Sequence, residues 1–165
     1  MGEINFKLRV KVLKSRMILT YNINSFGVGV KISKKTQYGM RVMVYLAKFS
    51  KNKKLCCLKK ISQDEGIPFS FLEKIVSELA KEKLIKAQKG PGGGYFLAKK
   101  PENIKVGKIV RILEGVIAPV QCLNKEVKIN CPQDKNCPAK KLWKKVQKSL
   151  DSTLEKITLA DLIDK

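Results

Sequence analysis

The sequence contains no histidine, and of its 35 basic residues only four are arginines against 31 lysines. Without histidine, the side chain most often used as a general base is missing. No serine or acidic constellation takes its place, so nothing in the chain points to hydrolysis. Long apolar runs are also absent: no stretch approaches the roughly 18 uninterrupted apolar residues of a membrane span. The first residues, MGEINFKLRVKVLKSRMIL, carry charges throughout and lack an apolar secretory core. These absences lead to a cytosolic reading with no membrane partner. In that compartment thiols stay reduced and clustered cysteines bind metal or respond to redox state more often than they staple a fold.

What is present is charge and a core. The chain has 165 residues, 44% of them hydrophobic, enough for one compact domain or two small lobes sharing a core. Its formal net charge of +21 favours a polyanionic partner such as nucleic acid. A lysine excess also arises from genome composition, so the charge supports that partner without deciding for it.

Along the chain, residues 1–30 differ in style from the rest. Ile4, Phe6, Leu8, Val10 and Val12 alternate with mostly polar residues, a strand pattern. Two readings compete: a β-rich extension, or an upstream leader of a start site placed too early, with initiation near Val28 or Val30. The second is preferred. From Ser33, read as the N-cap, Tyr38, Val42, Tyr45, Leu46 and Phe49 recur at spacings of three and four and predict a helix to about Ser50. Leu58 to Glu65 reads as a short helix stopped by Gly66. A second helix is expected to begin at Ser70, with SFLE as a capping box (Ser70 the N-cap, Glu73 at the third helical position) and Leu72, Ile75, Val76 and Leu79 inward.

Two helices joined by a short glycine-containing turn make a helix-turn-helix. The runs LIKAQ and YFLA around KGPGGG then predict a hairpin. The expected fold is therefore mainly α, a winged helix-turn-helix with a small β-hairpin wing. Residues 106–115 form a further helix ended by Gly115. A long helix from Ala139 to about Ile157 carries the stripe Leu142, Val146, Leu150, Leu154 and Ile157, a seam suited to dimerisation. Thr158 caps a last short turn. The expected organisation is an atypical extension over 1–30, a winged-helix DNA-binding domain over 31–100, and a cysteine loop with the dimerisation helix over 101–165.

The chemistry-bearing stretch is CLNKEVKINCPQDKNCP, with eight residues between Cys122 and Cys131 and five between Cys131 and Cys137. Three thiolates on one loop suit soft metal centres such as zinc, Cu(I) or an iron–sulfur cluster. A thiol–disulfide switch and inert cysteines are the other readings. Cys56 and Cys57 lie among apolar neighbours and read as small core or surface residues.

Four stretches carry a family resemblance: KISKKTQYGMRVMVYLA, ISQDEGIPFSFLEKIVSELAKEKLI, KGPGGGYFLAKKPENIKVGKIV, and the three-cysteine loop followed by LW. Over about residues 31–163 the chain resembles the bacterial winged-helix transcriptional regulators that include the iron–sulfur cluster regulator and the nitric-oxide-sensing repressor (IscR/NsrR type). The resemblance implies a dimeric repressor of palindromic DNA operators. It also implies a [2Fe–2S] or [4Fe–4S] cluster held by Cys122, Cys131 and Cys137, whose state sets operator binding. The chain departs from the family at the fourth ligand. Lys140 stands where some members place histidine, and Gln37 where others place an acid. Asp134, Glu126, Cys56 or Cys57, a backbone group or an exogenous thiol remain as candidates.

A recognition helix shows its N-terminal side chains to base edges in the major groove. Here these are Ser70, Phe71, Glu73, Lys74 and Ser77. Lys74 suits guanine or phosphate and Glu73 suits cytosine N4. At the wing, Lys89 adds charge, Gly90, Gly92 and Gly93 let backbone approach phosphate or a narrow minor groove, and Tyr95 packs or hydrogen-bonds at the hairpin base. GPGGG is no nucleotide loop, because no Gly-Lys-Ser/Thr follows and a strand rather than a helix comes next. Lys34, Lys35, Thr36 and Tyr38 open the first helix, whose N-terminus suits a phosphate oxygen. Lys140, Lys141, Lys144, Lys145 and Lys148 read as a solvated face. The alternative function is a metal-independent winged-helix regulator that answers to a thiol switch or a metabolite.

Overall fold

A computed structural model describes residues 32–50 and 55–163; the readings made for residues 1–30 fall outside them. Helix α1 spans Lys34–Lys48, and its start follows from Ser33. The Ser33 hydroxyl oxygen accepts from the Thr36 amide at 3.3 Å, satisfying one of the N–H groups left free at a helix start. The three-and-four spacing buries Val42, Met43, Tyr45, Leu46 and Ala47. Helix α2, Leu58–Glu65, ends at Gly66, whose φ of 60° lets the chain turn back.

Helix α3 spans Phe69–Lys81 and buries Leu72, Ile75, Val76 and Leu79. It corrects the expected capping box. The N-cap is Pro68 and no side chain caps the helix. The Pro68 carbonyl accepts from Leu72 N at 2.9 Å and from Phe71 N at 3.0 Å, so the helical ladder starts ahead of Ser70. Proline suits that boundary because its φ is already restricted. Ser70 and Glu73 therefore lie inside the first turns, exposed on the outer face, rather than at the cap and third position.

Strands β1, Ile85–Gln88, and β2, Gly94–Leu97, pair antiparallel with Gln88 opposite Gly94. Cys56 adds a bridge to Tyr95, with N–H···O bonds of 3.0 and 2.9 Å. This bridge runs so close to Gly94 that a Cβ there would lie 2.8 Å from the Cys56 carbonyl. A short 3-10 turn, Pro101–Asn103, leads to α4, Val106–Glu114. Helix α1 packs on α3, on α4 and on β2. It crosses α4 at Gly39, where a side chain would overlap Leu113. The core is one cluster drawn from α1, α2, α3, both strands and α4, closed by Leu159. Each fully buried Leu, Ile or Met contributes about 1.5–3 kcal/mol by leaving water.

Helix α5, Lys140–Lys156, lies on α4 but buries none of its residues completely, and Leu142 is 55% exposed. It is held by an Arg111–Glu155 ion pair and by Gln147 donating to the Ile117 carbonyl at 2.6 Å. Beyond it the chain returns to the winged-helix head formed by α1 to α4 and the hairpin: Val106 N donates to Ile157 O at 2.9 Å and Leu159 N to Ile104 O at 2.8 Å. Thr158 and Asp161 close the last turn, with the Thr158 hydroxyl donating to the carboxylate at 2.7 Å.

Candidate nucleic-acid interface and the cysteine loop

The outer face of α3 follows from its inner one. With Leu72, Ile75, Val76 and Leu79 buried, the 3.6-residue period turns Ser70, Glu73, Lys74 and Ser77 outward, and all four are exposed. Phe71 is half-buried. Its ring meets Tyr38 edge-on at 5.8 Å and 83°, an arrangement favoured by the ring quadrupoles. The Arg41 guanidinium lies 5.8 Å from the centre of the same Tyr38 ring and pairs with Glu65 at 2.9 Å. Tyr38 is thus fixed by α3 on one side and by the α1–α2 junction on the other.

The first turn of α1 is arranged differently from the sequence expectation. Lys34 is exposed and reaches Gln37 at 3.5 Å. Lys35 is drawn sideways to Glu78 on α3 at 3.0 Å. Thr36 is 2% exposed, and its hydroxyl donates to Glu114 Oε2 at 2.6 Å. That withdraws its side chain from any surface contact, a correction to its place among the candidate DNA contacts. Gln37 points back and donates to the Ile32 carbonyl at 2.9 Å.

At the wing, Lys89, Gly90 and Gly92 are exposed. Gly90 and Gly92 have φ of 107° and 77°, a region L side chains rarely adopt. The tip is closed by Gly93 N donating to Gly90 O at 2.9 Å. Gly93 has no room for a Cβ beside Gln88 O, so its small size serves the turn itself. Tyr95 is half-buried and packs against the core at the hairpin base.

Sequence reasoning missed Glu114, the last residue of α4. Its Oε2 accepts from Ser33 N at 3.0 Å, from Ser33 Oγ at 2.6 Å and from Thr36 Oγ1 at 2.6 Å. Burial opposes ionisation of this carboxyl, but the hydrogen bonds from Ser33 and Thr36, helped by nearby Lys35, outweigh it and hold its pKa below the ordinary value. One carboxylate thereby clamps the start of α1 to the end of α4. Gly115 follows directly and opens the cysteine segment. The partners lie 78 to 81 residues apart, and no local pattern signals them.

Cys122 sits half-buried in a 3-10 turn, Gln121–Leu123. Cys131 is exposed and opens a turn in which its carbonyl accepts from Asp134 N at 3.0 Å. Cys137 is half-buried just before α5, with its carbonyl accepting from Lys140 N at 3.1 Å. Among the described residues no three His, Cys, Asp or Glu side chains are gathered for a metal ion. Lys140 Nζ donates to the Asp134 carboxylate at 2.7 Å and to its carbonyl at 2.8 Å. The hydrogen bond to Asp134 raises the Lys140 pKa against partial desolvation, and Cys122 and Cys137 lie near enough to act in the same direction. Asp134, a candidate fourth ligand, is therefore already engaged by a cation. Cys56 is buried in the wing bridge, and Cys57 is exposed at the start of α2.

A helix-turn-helix with an exposed outer face, followed by a glycine-tipped hairpin on a strongly basic chain, defines a winged-helix DNA-binding regulator. The Rrf2 model, described as an iron-dependent transcriptional regulator, matches residues 32–165. The chain belongs to this Rrf2 family of transcriptional regulators, which are not enzymes. It is 37% identical over 134 residues to the HTH-type transcriptional regulator CymR of Bacillus subtilis, covering 81% of this chain and 89% of that protein. It is 31% identical over 135 residues to the regulator IscR of Yersinia pseudotuberculosis, covering 82% and 80%. The solved structure of CymR, the global cysteine regulator of B. subtilis, superposes with a TM-score of 0.66 at 35% identity, covering 80% of this chain and 95% of that one.

Proposed function

We propose that the protein is a cytosolic, homodimeric repressor that reads an operator with α3 and the wing and takes its signal at the cysteine loop. The observation that carries this reading is the Glu114 clamp. It joins the start of α1, beside the proposed reading face, to the helix end from which the cysteine segment leaves. Ser70, Glu73, Lys74 and Ser77 face base edges. Lys34 and Lys89, with the backbone of Gly90 and Gly92, meet phosphates. Lys35 reaches phosphate by exchanging Glu78, and Tyr38 holds Phe71 in register. The half-exposed stripe of α5 pairs two copies and sets the spacing of the two heads. Residues 31–100 form the DNA-binding unit, and 101–165 the signal-receiving and pairing unit.

The donor set fits an iron–sulfur cluster in kind. Cys122, Cys131 and Cys137 are three soft sulfur donors on a loop without α-helix or strand between Gly115 and Lys140. They would hold the cluster, which when bound supplies a redox- and nitric-oxide-reactive centre. The protein's own part is to move charge and backbone. Lys140 keeps a cation beside Cys122 and Cys137, and Asp134 balances it. A change of loop shape reaches Gly115 and then the Glu114 clamp, where it shifts the start of α1 between two settings. A second reading is favoured by that Lys140–Asp134 pair and by the likeness to a cysteine regulator: the loop answers to thiol state without metal.

Anaerobic purification followed by an absorption spectrum, iron and sulfide analysis and DNA titration tests this. Sulfur-to-iron absorption lost in Cys122, Cys131 or Cys137 variants, with altered operator affinity, supports cluster control. A colourless, iron-free protein after reconstitution, with affinity that follows thiol oxidation, supports the second reading. Affinity indifferent to both overturns signalling through the loop.

A further inference from the structure

Among the large apolar side chains exposed in the described residues, one is aromatic and lies on the head: Phe69, 45% exposed. The others, Val116, Val127, Leu142 and Leu162, belong to the cysteine segment, α5 or the terminal turn. Phe69 is the first residue of α3 and is not among the side chains packed against the core. Its neighbour Phe71 differs, being half-buried and held edge-on by Tyr38. At about 100° per residue the two rings flank the outer face of α3 on opposite sides, and Phe69 lies one turn before Glu73 on the same side. Nearly half of this side chain stays in water at the first turn of the helix, apolar surface that the fold leaves uncovered.

We infer that Phe69 is a specificity-determining residue that reads the C5-methyl group of a thymine. This rests on the proposal that α3 lies in the major groove. There, thymine is the base that presents a methyl group, and an apolar side chain discriminates it by contact rather than by hydrogen bonding. Because Phe69 precedes Glu73 by one turn, the thymine belongs to a base pair next to the one that Glu73 faces. A polar reader at this position would accept several bases; a bare ring prefers the one with a methyl. The ring is already exposed, so no rearrangement of the core precedes the contact.

The test uses the full chain and a random duplex pool. Wild type, Phe69→Ala and Phe69→Leu are each carried through selection, and the recovered duplexes are then titrated with dU replacing dT one position at a time. Wild type selects a site with an invariant dT and loses about fourfold in affinity on its replacement, the value of one buried methyl group. Phe69→Ala accepts any base at that position and is indifferent to dU there, with the rest of the site retained. Phe69→Leu, still apolar but shorter, gives an intermediate penalty. If both variants keep the wild-type site and the same dU penalty, the inference is overturned while the reading of α3 stands. A changed oligomeric mass with unchanged base preference puts Phe69 at an interface between copies and also overturns it. If wild type enriches no sequence, the placement of α3 in the groove fails and the inference fails with it.

Discussion

Replacing Glu114 by Gln tests the clamp without changing the side chain's size. The carboxylate accepts from one amide and two hydroxyls. The Ser33 groups are half-buried, so water takes over part of their bonding. Thr36 is 2% exposed, and its hydroxyl loses its charged acceptor in the interior. A hydrogen bond to a charged group contributes about 1.5–3 kcal/mol, and a buried hydroxyl left poorly paired costs about 1–3 kcal/mol. These are two descriptions of one loss, so the expected cost is about 2 kcal/mol, or roughly 4–8 °C in Tm for a chain of this size. The pH dependence follows from the lowered pKa of Glu114. A depressed carboxyl stabilises the fold fully above the ordinary glutamate range. It loses that contribution as pH falls through the folded-state value. Thermal melts of both proteins should therefore differ most at neutral pH and converge in acid. A gap that persists unchanged at low pH, or no gap at neutrality, refutes the ionised clamp.

Further outcomes follow from the same geometry. Gly39→Ala places a methyl against Leu113 and should cost about 1–3 kcal/mol in a denaturant titration, the range for overpacking a tight core. Gly92→Ala forces an L side chain to φ 77° and should lower stability by about 1 kcal/mol without any clash, since nothing lies within 4 Å of the added carbon. Lys89→Ala should weaken binding to every duplex alike and reduce the slope of log affinity against log salt by about one contact, as read by titration at several ionic strengths. Cys131→Ala should change operator affinity under anaerobic conditions while leaving the melting curve of the cluster-free protein unmoved, because Cys131 is exposed.

Local signals made most of the fold readable in advance. Ser33 as a cap, Gly66 and Gly115 as stops, and the spacing of Leu72, Ile75, Val76 and Leu79 each act within a few residues, and the helices follow them. Helix α3 shows how two local signals compete. A serine and a glutamate at capping-box spacing were outweighed by a proline whose carbonyl starts the ladder earlier. That same shift leaves Phe69 inside the helix rather than in the turn. The outward face of α3 was legible from helix periodicity, whereas contacts made across the chain were hidden. Thr36 looked like a surface residue in a first turn, yet α4 covers it and Glu114 claims its hydroxyl. Lys35 looked free, yet Glu78 draws it onto α3. The cysteines were legible as a donor set, but their spacing carried no sign of the Lys140–Asp134 pair beside two of them.

The proposed function requires that this head read DNA sequence and that the cysteine loop set how tightly. The most direct measurement is an anaerobic titration of a selected duplex and an unrelated duplex of equal length, over a range of salt, with wild type and Cys131→Ala. Expected are tighter binding of the selected duplex, a negative log–log salt slope for both, and a shift of the specific affinity alone in the variant. Equal affinity for the two duplexes, or a variant indistinguishable from wild type on the selected one, would contradict it.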